Sequence, residues 1–141
     1  MTCIAWDGRT LAADSMTTAM DIHVWNSEKI ERINGALVAT AGRTEDGILF
    51  SQWFKAGCPG DQKPVLDADA FQALVVTRHG AFMYFEKLIP IPVQPPVAIG
   101  CGFTLALAAM KAGASATRAV EIACELDIHC GPPVISRRFS K

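Results

Sequence analysis

The dipeptide Asp7-Gly8 lies between two mostly apolar runs, and it constrains the fold more strongly than any other short segment. Asp-Gly flanked by apolar residues is a strong local signal for a two-residue β-hairpin turn. With this dipeptide as the turn, Thr2 is expected to pair with Ala13. Asp14 is then expected beside the amino end of the chain, a dozen residues away in sequence.

Thr2 carries chemistry that becomes available when Met1 is removed. The α-amine of an N-terminal threonine can act as the base for its own hydroxyl, which is a recognised form of nucleophilic catalysis. Methionine aminopeptidase removes Met1 when the second residue is as small as threonine. Thr2 with Asp14 beside it is therefore a candidate catalytic arrangement, although an acid next to a strand threonine also occurs without a function.

The composition predicts one globular domain, residues 1–141, large enough for a hydrophobic core. Half of the 141 residues are hydrophobic and 19% are charged, which is typical of folded rather than disordered chains. The net charge is −1 and there is no basic tract, so nucleic acid is not an expected partner. Prolines interrupt the apolar run 88–97, and the start lacks a signal-peptide pattern, so no membrane association is expected. No cofactor is expected.

The five cysteines are odd in number and widely spread, and none forms a C-x-x-C pair. They are Cys3, Cys58, Cys101, Cys124 and Cys130. This spacing indicates neither a zinc site nor a disulfide framework. A reducing, cytoplasmic setting is therefore expected.

Lys29 lies in a segment, 28–33, whose polar and apolar residues alternate with the period of a half-buried strand. The dipeptide Asn34-Gly35 follows as a second predicted hairpin turn and leads into an apolar strand at 36–41. Lys29 has two interpretations. It is either an exposed lysine at a sheet edge or an inward-facing ammonium that lowers the pKa of a neighbouring group.

The rest of the chain mixes strand and helix signals. Helices are predicted at 44–56, at 103–111 and, capped by Ser115, at 116–126. Strands are predicted at 72–77, 81–85, 97–99 and 132–135, and residues 15–18 either continue a strand or turn out of it. A loop is predicted at 58–70, an extended proline-rich connector at 88–96 and a solvated tail at 137–138. A hairpin turn is expected at His79-Gly80. Hairpin strands combined with these helices predict a layered α+β domain, with two antiparallel sheets and helices outside them.

Six segments, taken in order, resemble the proteasome-type N-terminal nucleophile (Ntn) hydrolases. The HslV-type bacterial peptidases are the nearest match, and proteasome β subunits are more distant. The segments are Thr2-Cys3-Ile4, Ala12-Ala13-Asp14-Ser15, Glu28-Lys29-Ile30-Glu31-Arg32-Ile33, Ala39-Thr40-Ala41-Gly42, Ala98-Ile99-Gly100-Cys101-Gly102 and Asp127-Ile128-His129-Cys130-Gly131. The resemblance implies a four-layer αββα sandwich of two antiparallel sheets. Because the loop 57–70 stands where HslV has a long second helix, the outer helix layer is expected to be shortened.

The resemblance also implies a role for each matching residue. Thr2 would be the nucleophile, and Lys29, paired with Asp14, would favour the alkoxide and keep the amine neutral. The backbone N–H of Ala39 would form the oxyanion hole, although the family has glycine there.

The resemblance implies two further elements near the threonine amine. Asp127 together with Cys130 would hold the amine in position. Cys101 and Cys130 stand where the family carries serine, and a thiol donates weaker hydrogen bonds than a hydroxyl.

Three functions therefore remain open from the sequence. The first is a threonine peptidase that hydrolyses polypeptides inside a homo-oligomeric ring, with an ATP-dependent unfoldase as a further partner. The second is a catalytically silent structural or binding subunit that keeps Met1. The third is an amidase of the same fold acting on a small amide.

Overall fold

The computed structural model describes residues 2–19 and 22–140. Within these residues the elements follow the order β1 (Cys3–Trp6), β2 (Thr10–Ala13), β3 (Met16–Ala19), β4 (Ile22–Asn26), β5 (Ile30–Ile33), β6 (Ala36–Ala41), α1 (Thr44–Lys55), β7 (Gln72–Thr77), β8 (Gly80–Tyr84), β9 (Ile91–Val93), β10 (Val97–Gly100), α2 (Phe103–Lys111), α3 (Ala116–Leu126) and β11 (Ile135–Arg138). Met1 lies outside the described residues, so the prediction about its removal is not addressed by the fold.

The strands form three antiparallel sheets. One has the order β10-β1-β2-β11, a second has the order β5-β6-β7-β8-β9, and β3 and β4 form a two-stranded sheet. The prediction of an α+β domain built on antiparallel sheets is confirmed. Among the helices that the structure describes, none combines the length and the apolar character needed to cross a membrane.

Three clusters of buried side chains hold these elements together. The first joins Ile4 and Leu11 of the four-stranded sheet to Leu37 and Leu74 of the five-stranded sheet. The second covers the other side of the four-stranded sheet with residues of α2 and α3, and the third covers the five-stranded sheet with α1. Burial of these apolar surfaces is the main favourable term for the fold.

The register of the N-terminal hairpin differs from the prediction. Ala13 pairs with Ile4 rather than with Thr2, and the backbone N–H of Asp14 donates to the carbonyl of Cys3 at 3.1 Å. The turn is therefore longer than the two residues that Asp-Gly favours. Even so, Asp14 still lies beside the amino end of the chain, as expected.

The carboxylate of Asp7 explains the longer turn. Its Oδ1 accepts from the backbone N–H groups of Arg9 and Thr10, both at 2.9 Å, and its Oδ2 accepts from the N–H of Ala116 at 2.8 Å. Burial alone raises the pKa of Asp7, but these backbone donors outweigh it and leave the pKa below its ordinary value of 3.8. One carboxylate thus fixes the turn and satisfies the first N–H of α3.

Most other local predictions are confirmed. The turn at Asn34-Gly35 joins β5 to β6, and both residues have positive φ, 51° and 80°, as a type I′ turn requires. The three predicted helices are present; α2 and α3 have the predicted bounds, whereas α1 ends at Lys55, one residue earlier than predicted. The hydroxyl of Ser115 accepts from the N–H of Arg118 at the start of α3.

Three predictions about strand ends are wrong. The β7–β8 turn is formed by Arg78 and His79 because Thr77 pairs with Gly80. The proline-rich connector contains β9, and an edge strand tolerates Pro92 because its outer side needs no hydrogen-bond donor. The last strand covers Ile135–Arg138 rather than 132–135 because it pairs along the whole length of β2, so residues 137–138 are not a free tail.

Candidate active site

The ammonium group of Lys29 lies at the centre of a buried polar cluster near the start of β1. Its Nζ donates to the Oγ1 of Thr2 at 3.1 Å, to the Oδ1 of Asp14 at 2.9 Å and to the carbonyl of Met16 at 2.8 Å. The Lys29 side chain is 9% exposed. The structure therefore contradicts the interpretation of Lys29 as an exposed edge residue.

Asp14 is fully buried and takes part in four hydrogen bonds, three as acceptor and one as donor. Besides the Lys29 ammonium, its Oδ1 accepts from the N–H of Cys3 at 3.0 Å, and its Oδ2 accepts from the N–H of Gly131 at 3.1 Å. The backbone N–H of Asp14 donates to the Cys3 carbonyl. A buried carboxylate is tolerated only when it is paired and hydrogen-bonded, and both conditions are met here.

Thr2 is 5% exposed, and its backbone is held by the segment that follows β10. Its carbonyl accepts from the N–H of Gly102 at 3.4 Å and from the thiol of Cys101 at 3.4 Å. Gly100 has a φ of +90°, and a Cβ there would overlap the Thr2 carbonyl. The close packing of these two backbone segments thus fixes the backbone of Thr2.

Cys101, Asp127 and Cys130 form a second cluster beside Thr2. The two Sγ atoms are 3.8 Å apart, and the Sγ of Cys130 lies 3.8 Å from the Oδ2 of Asp127. The hydrogen bond with Cys130, together with burial, raises the pKa of the Cys101 thiol. The hydrogen bond with Cys101 lowers the pKa of the Cys130 thiol, but contact with Cys3 and burial outweigh it, so the net shift is upward.

Ala39 occupies a different position from the other predicted site residues. It lies in β6, fully buried, and pairs with Ile30 of β5 on one side and with Leu74 of β7 on the other. Ile30 directly follows Lys29 in the chain, so the strand paired with Ala39 begins immediately after the lysine. Its role as an oxyanion-hole donor stays a prediction.

The structure therefore brings together six of the seven predicted site residues in two adjoining clusters. Thr2, Asp14 and Lys29 form the first, and Cys101, Asp127 and Cys130 form the second. The catalytic roles assigned to them remain predictions.

Sequence reasoning missed several backbone groups that build the site. They are the carbonyl of Met16, which binds Lys29, the N–H of Gly131, which binds Asp14, and the backbone of Gly100. The N–H of Gly100 also donates to the Oε1 of Gln72 at 3.1 Å, which ties the site to the five-stranded sheet. The available sequence signal for this packing was Gly100, at the end of the short strand predicted at 97–99, because a glycine permits close approach of two backbones.

Comparisons of the whole chain with known proteins identify its fold. No protein-family model and no curated protein sequence matches the chain. Among solved structures, the chain is similar to BPH, the bacterial proteasome homologue of Thiobacillus denitrificans, with a TM-score of 0.75 and 23% identity over 99% of this chain and 98% of that one. The same protein in complex with epoxomicin matches with a TM-score of 0.76 and 22% identity over the full length of both chains.

A eukaryotic HslV from Trypanosoma brucei is also similar, with a TM-score of 0.69 and 22% identity over 98% of each chain. These matches show that the chain has the proteasome-like Ntn-hydrolase fold, as the sequence resemblance predicts. At this level of identity they establish the fold alone.

Proposed function

We propose that this chain is an N-terminal threonine peptidase whose nucleophile, Thr2, is released by removal of Met1. The observation that carries the proposal is the Lys29 ammonium, which donates to the Thr2 hydroxyl oxygen while it is held by the buried carboxylate of Asp14. A positive charge aimed at a hydroxyl oxygen stabilises the alkoxide that forms when the hydroxyl loses its proton. An ion pair between Lys29 and Asp14 that only stabilised the fold would not require the additional contact with the Thr2 hydroxyl.

The first chemical step uses the free α-amine of Thr2 as the base. The amine, or a water molecule that it binds, accepts the hydroxyl proton, and the Oγ1 of Thr2 attacks the carbonyl carbon of a peptide bond. Lys29 donates to Oγ1, so as an ammonium it stabilises charge rather than accepting the proton. When the carbon–nitrogen bond breaks, the protonated amine returns its proton to the leaving amine, and an ester on Thr2 remains for water to hydrolyse.

Two further groups support this chemistry. The Ala39 N–H would bind the oxyanion, and such donors can be worth roughly 3 kcal/mol each. Asp127 and the Cys130 thiol would hold the Thr2 amine. Their position is consistent with this role, because the adjoining Cys101 thiol donates to the carbonyl of the same threonine.

We also propose that the chain assembles into a homo-oligomeric ring that encloses the Thr2 sites. The three buried clusters fit a four-layer αββα sandwich in which α1 alone makes a shortened outer layer. Several large apolar side chains are exposed in the single chain, among them Val65 at 93%, Ile128 at 85% and Ile48 at 54%. Burial of such residues between subunits would supply association energy.

The substrates in this proposal are polypeptides in a reducing, cytoplasmic compartment, delivered by an ATP-dependent unfoldase. The loop 58–70 lies beside α1, with Asp46 of the helix accepting from the N–H of Asp67 at 3.1 Å. Docking of an unfoldase on this side would therefore involve the loop. The mass of the purified particle, measured by native mass spectrometry with and without an added unfoldase, tests assembly and partner binding separately.

The proposed catalytic function is tested by an intact mass measured before and after exposure to epoxomicin, the compound bound in the BPH complex. This epoxyketone forms a ring with both the hydroxyl and the free amine of an N-terminal threonine. Loss of Met1 and one adduct on Thr2 support the peptidase. Retained Met1, or a free Thr2 that never reacts, would favour the catalytically silent subunit.

A further inference from the structure

We infer that Cys101, Asp127 and Cys130 form a binding site for a thiophilic divalent cation of the zinc class, next to Thr2. The ligand atoms of these residues, two sulfurs and one carboxylate oxygen, all lie within 4.8 Å of one another. The residues come from two segments, one after β10 and one after α3. No C-x-x-C spacing marks them, and the sequence accordingly predicted no zinc site.

Two of the three separations between the ligand atoms match the edges of a tetrahedral site. Two Zn–S bonds of about 2.3 Å at the tetrahedral angle hold their sulfurs about 3.8 Å apart. The Sγ atoms of Cys101 and Cys130 are separated by 3.8 Å. A Zn–S and a Zn–O bond, of about 2.3 and 2.1 Å, place their ligand atoms about 3.6 Å apart, and the Cys130 Sγ lies 3.8 Å from the Asp127 Oδ2. The third separation, between the Cys101 Sγ and the Asp127 carboxylate, is within 4.8 Å, so closing this edge is the movement that binding requires.

The donor set selects the kind of ion. Two thiolates and one carboxylate favour zinc or cadmium over magnesium or calcium, which prefer oxygen ligands alone. On binding, each thiol releases its proton to the solvent and forms a metal–sulfur bond, so no oxidant or reductant is needed. The thiols are also free: neither belongs to a disulfide.

The site has an entry path and room for a fourth ligand. Cys101 is exposed, Asp127 is partly exposed and Cys130 is buried, so the cluster opens towards solvent on the Cys101 side. Three protein ligands with an open fourth position are typical of accessible rather than structural zinc sites. Water would complete the coordination.

The position of this site connects it to Thr2. The Cys101 Sγ lies 3.4 Å from the Thr2 carbonyl oxygen, so a bound ion would sit next to the nucleophile. If the proposed peptidase function holds, the ion would take Asp127 and Cys130 away from the Thr2 amine and inhibit turnover. Binding itself does not depend on the peptidase function.

The experiment measures zinc affinity by competition with a chromophoric chelator under a phosphine reductant. It uses the full chain, the Cys101→Ser variant, the Cys130→Ser variant and the control Cys58→Ser, whose thiol lies elsewhere in the fold. We expect one equivalent of zinc per chain. Loss of a residue that only supports a metal ligand typically weakens metal affinity about 10- to 100-fold. Each cluster variant should weaken zinc affinity by more than this, while the control should leave the affinity unchanged.

The proposal is overturned if the chain binds no zinc in competition with the chelator. It is also overturned if both cluster variants keep the affinity of the unsubstituted chain. Because Cys130 is buried, its variant can fail to fold, but the exposed Cys101 variant then carries the test, with circular dichroism as the check on folding.

A parallel titration on Thr2→Ala separates the two proposals. This variant should bind zinc like the unsubstituted chain, whether or not the chain is a peptidase. Zinc-dependent loss of peptidase activity in the unsubstituted chain, absent in Cys101→Ser, would link the two.

Discussion

The Nζ of Lys29 lies 3.1 Å from the Oγ1 of Thr2, although 27 positions separate the two residues in the chain. Lys29 directly precedes β5, and its ammonium reaches the start of β1, where the fully buried Asp14 accepts from it at 2.9 Å. Lys29 thus pairs with one carboxylate and also contacts a hydroxyl oxygen, and this double contact is the basis of the catalytic role proposed for it.

Replacing Thr2 by alanine should abolish peptide hydrolysis, because the change removes the nucleophilic hydroxyl. The fold should stay intact, since the change otherwise removes one methyl group and one acceptor for Lys29. Turnover of a fluorogenic peptide and the circular dichroism spectrum are the two measurements. Thr104→Ala, on the exposed surface of α2, is the matched control and should keep full activity. Activity that survives in Thr2→Ala would refute the peptidase proposal.

Replacing Lys29 by methionine, which keeps much of its volume, should reduce kcat by at least about 100-fold, the scale of removing one preorganised charge or donor. It should also destabilise the fold, since removing one partner of a buried ion pair costs about 3–5 kcal/mol. Urea unfolding and peptidase kinetics measure the two effects. Lys87→Met, at an exposed position, should change neither.

The double variant Lys29→Met with Asp14→Asn distinguishes the structural from the catalytic effect of Lys29. It should recover part of the lost stability, because the buried negative charge is removed as well. Activity should stay as low as in the single variant. Recovered activity would mean that Lys29 serves the fold alone.

Gly100 should tolerate alanine less well than Gly57, although both have a φ near +90°. Backbone strain is therefore similar at the two positions, at about 1–2 kcal/mol. At Gly57 a Cβ meets nothing within 4 Å, whereas at Gly100 it overlaps the Thr2 carbonyl. We expect Gly100→Ala to lose at least about 1 kcal/mol more in free energy of unfolding. Equal losses in the two variants would show that the Thr2 backbone moves freely.

Asp7→Asn should lower the free energy of unfolding at pH 7 by about 1 kcal/mol, the usual scale for losing an acceptor at a cap. Because the pKa of Asp7 is below its ordinary value of 3.8, the ionised carboxylate stabilises the folded chain. This stabilisation is fully present above pH 3.8, the ordinary pKa of the carboxyl group, and is lost as the pH falls through the lower pKa of the folded chain. The difference between wild type and variant should therefore narrow in acid.

Urea unfolding at several pH values measures this narrowing. Asp61→Asn, at an exposed position, is the control and should show no such effect. A difference between wild type and Asp7→Asn that is independent of pH would contradict the role assigned to the carboxylate.

Local sequence signals were sufficient for the helices and for one hairpin. Asn34-Gly35 specifies its turn because these two residues adopt positive φ at low cost, and no distant contact is needed. Ser115 specifies the start of α3 in the same way, since its hydroxyl accepts from the N–H of Arg118, three residues later. In the candidate site, the motifs around Thr2, Asp14 and Lys29 supported a resemblance to a family but not a geometry.

The tertiary structure decided the features that depend on distant residues. The Asp7 carboxylate also accepts from the N–H of Ala116, 109 positions away, and so ties the first hairpin to α3, which no pattern around Asp7-Gly8 could indicate. The direction of the Lys29 side chain and the meeting of Cys101 with Cys130 were likewise undetermined until the sheets and helices packed together. Periodicity and turn chemistry act within a few residues, whereas a catalytic or metal-binding site requires side chains from separate elements to converge, and packing alone sets that convergence.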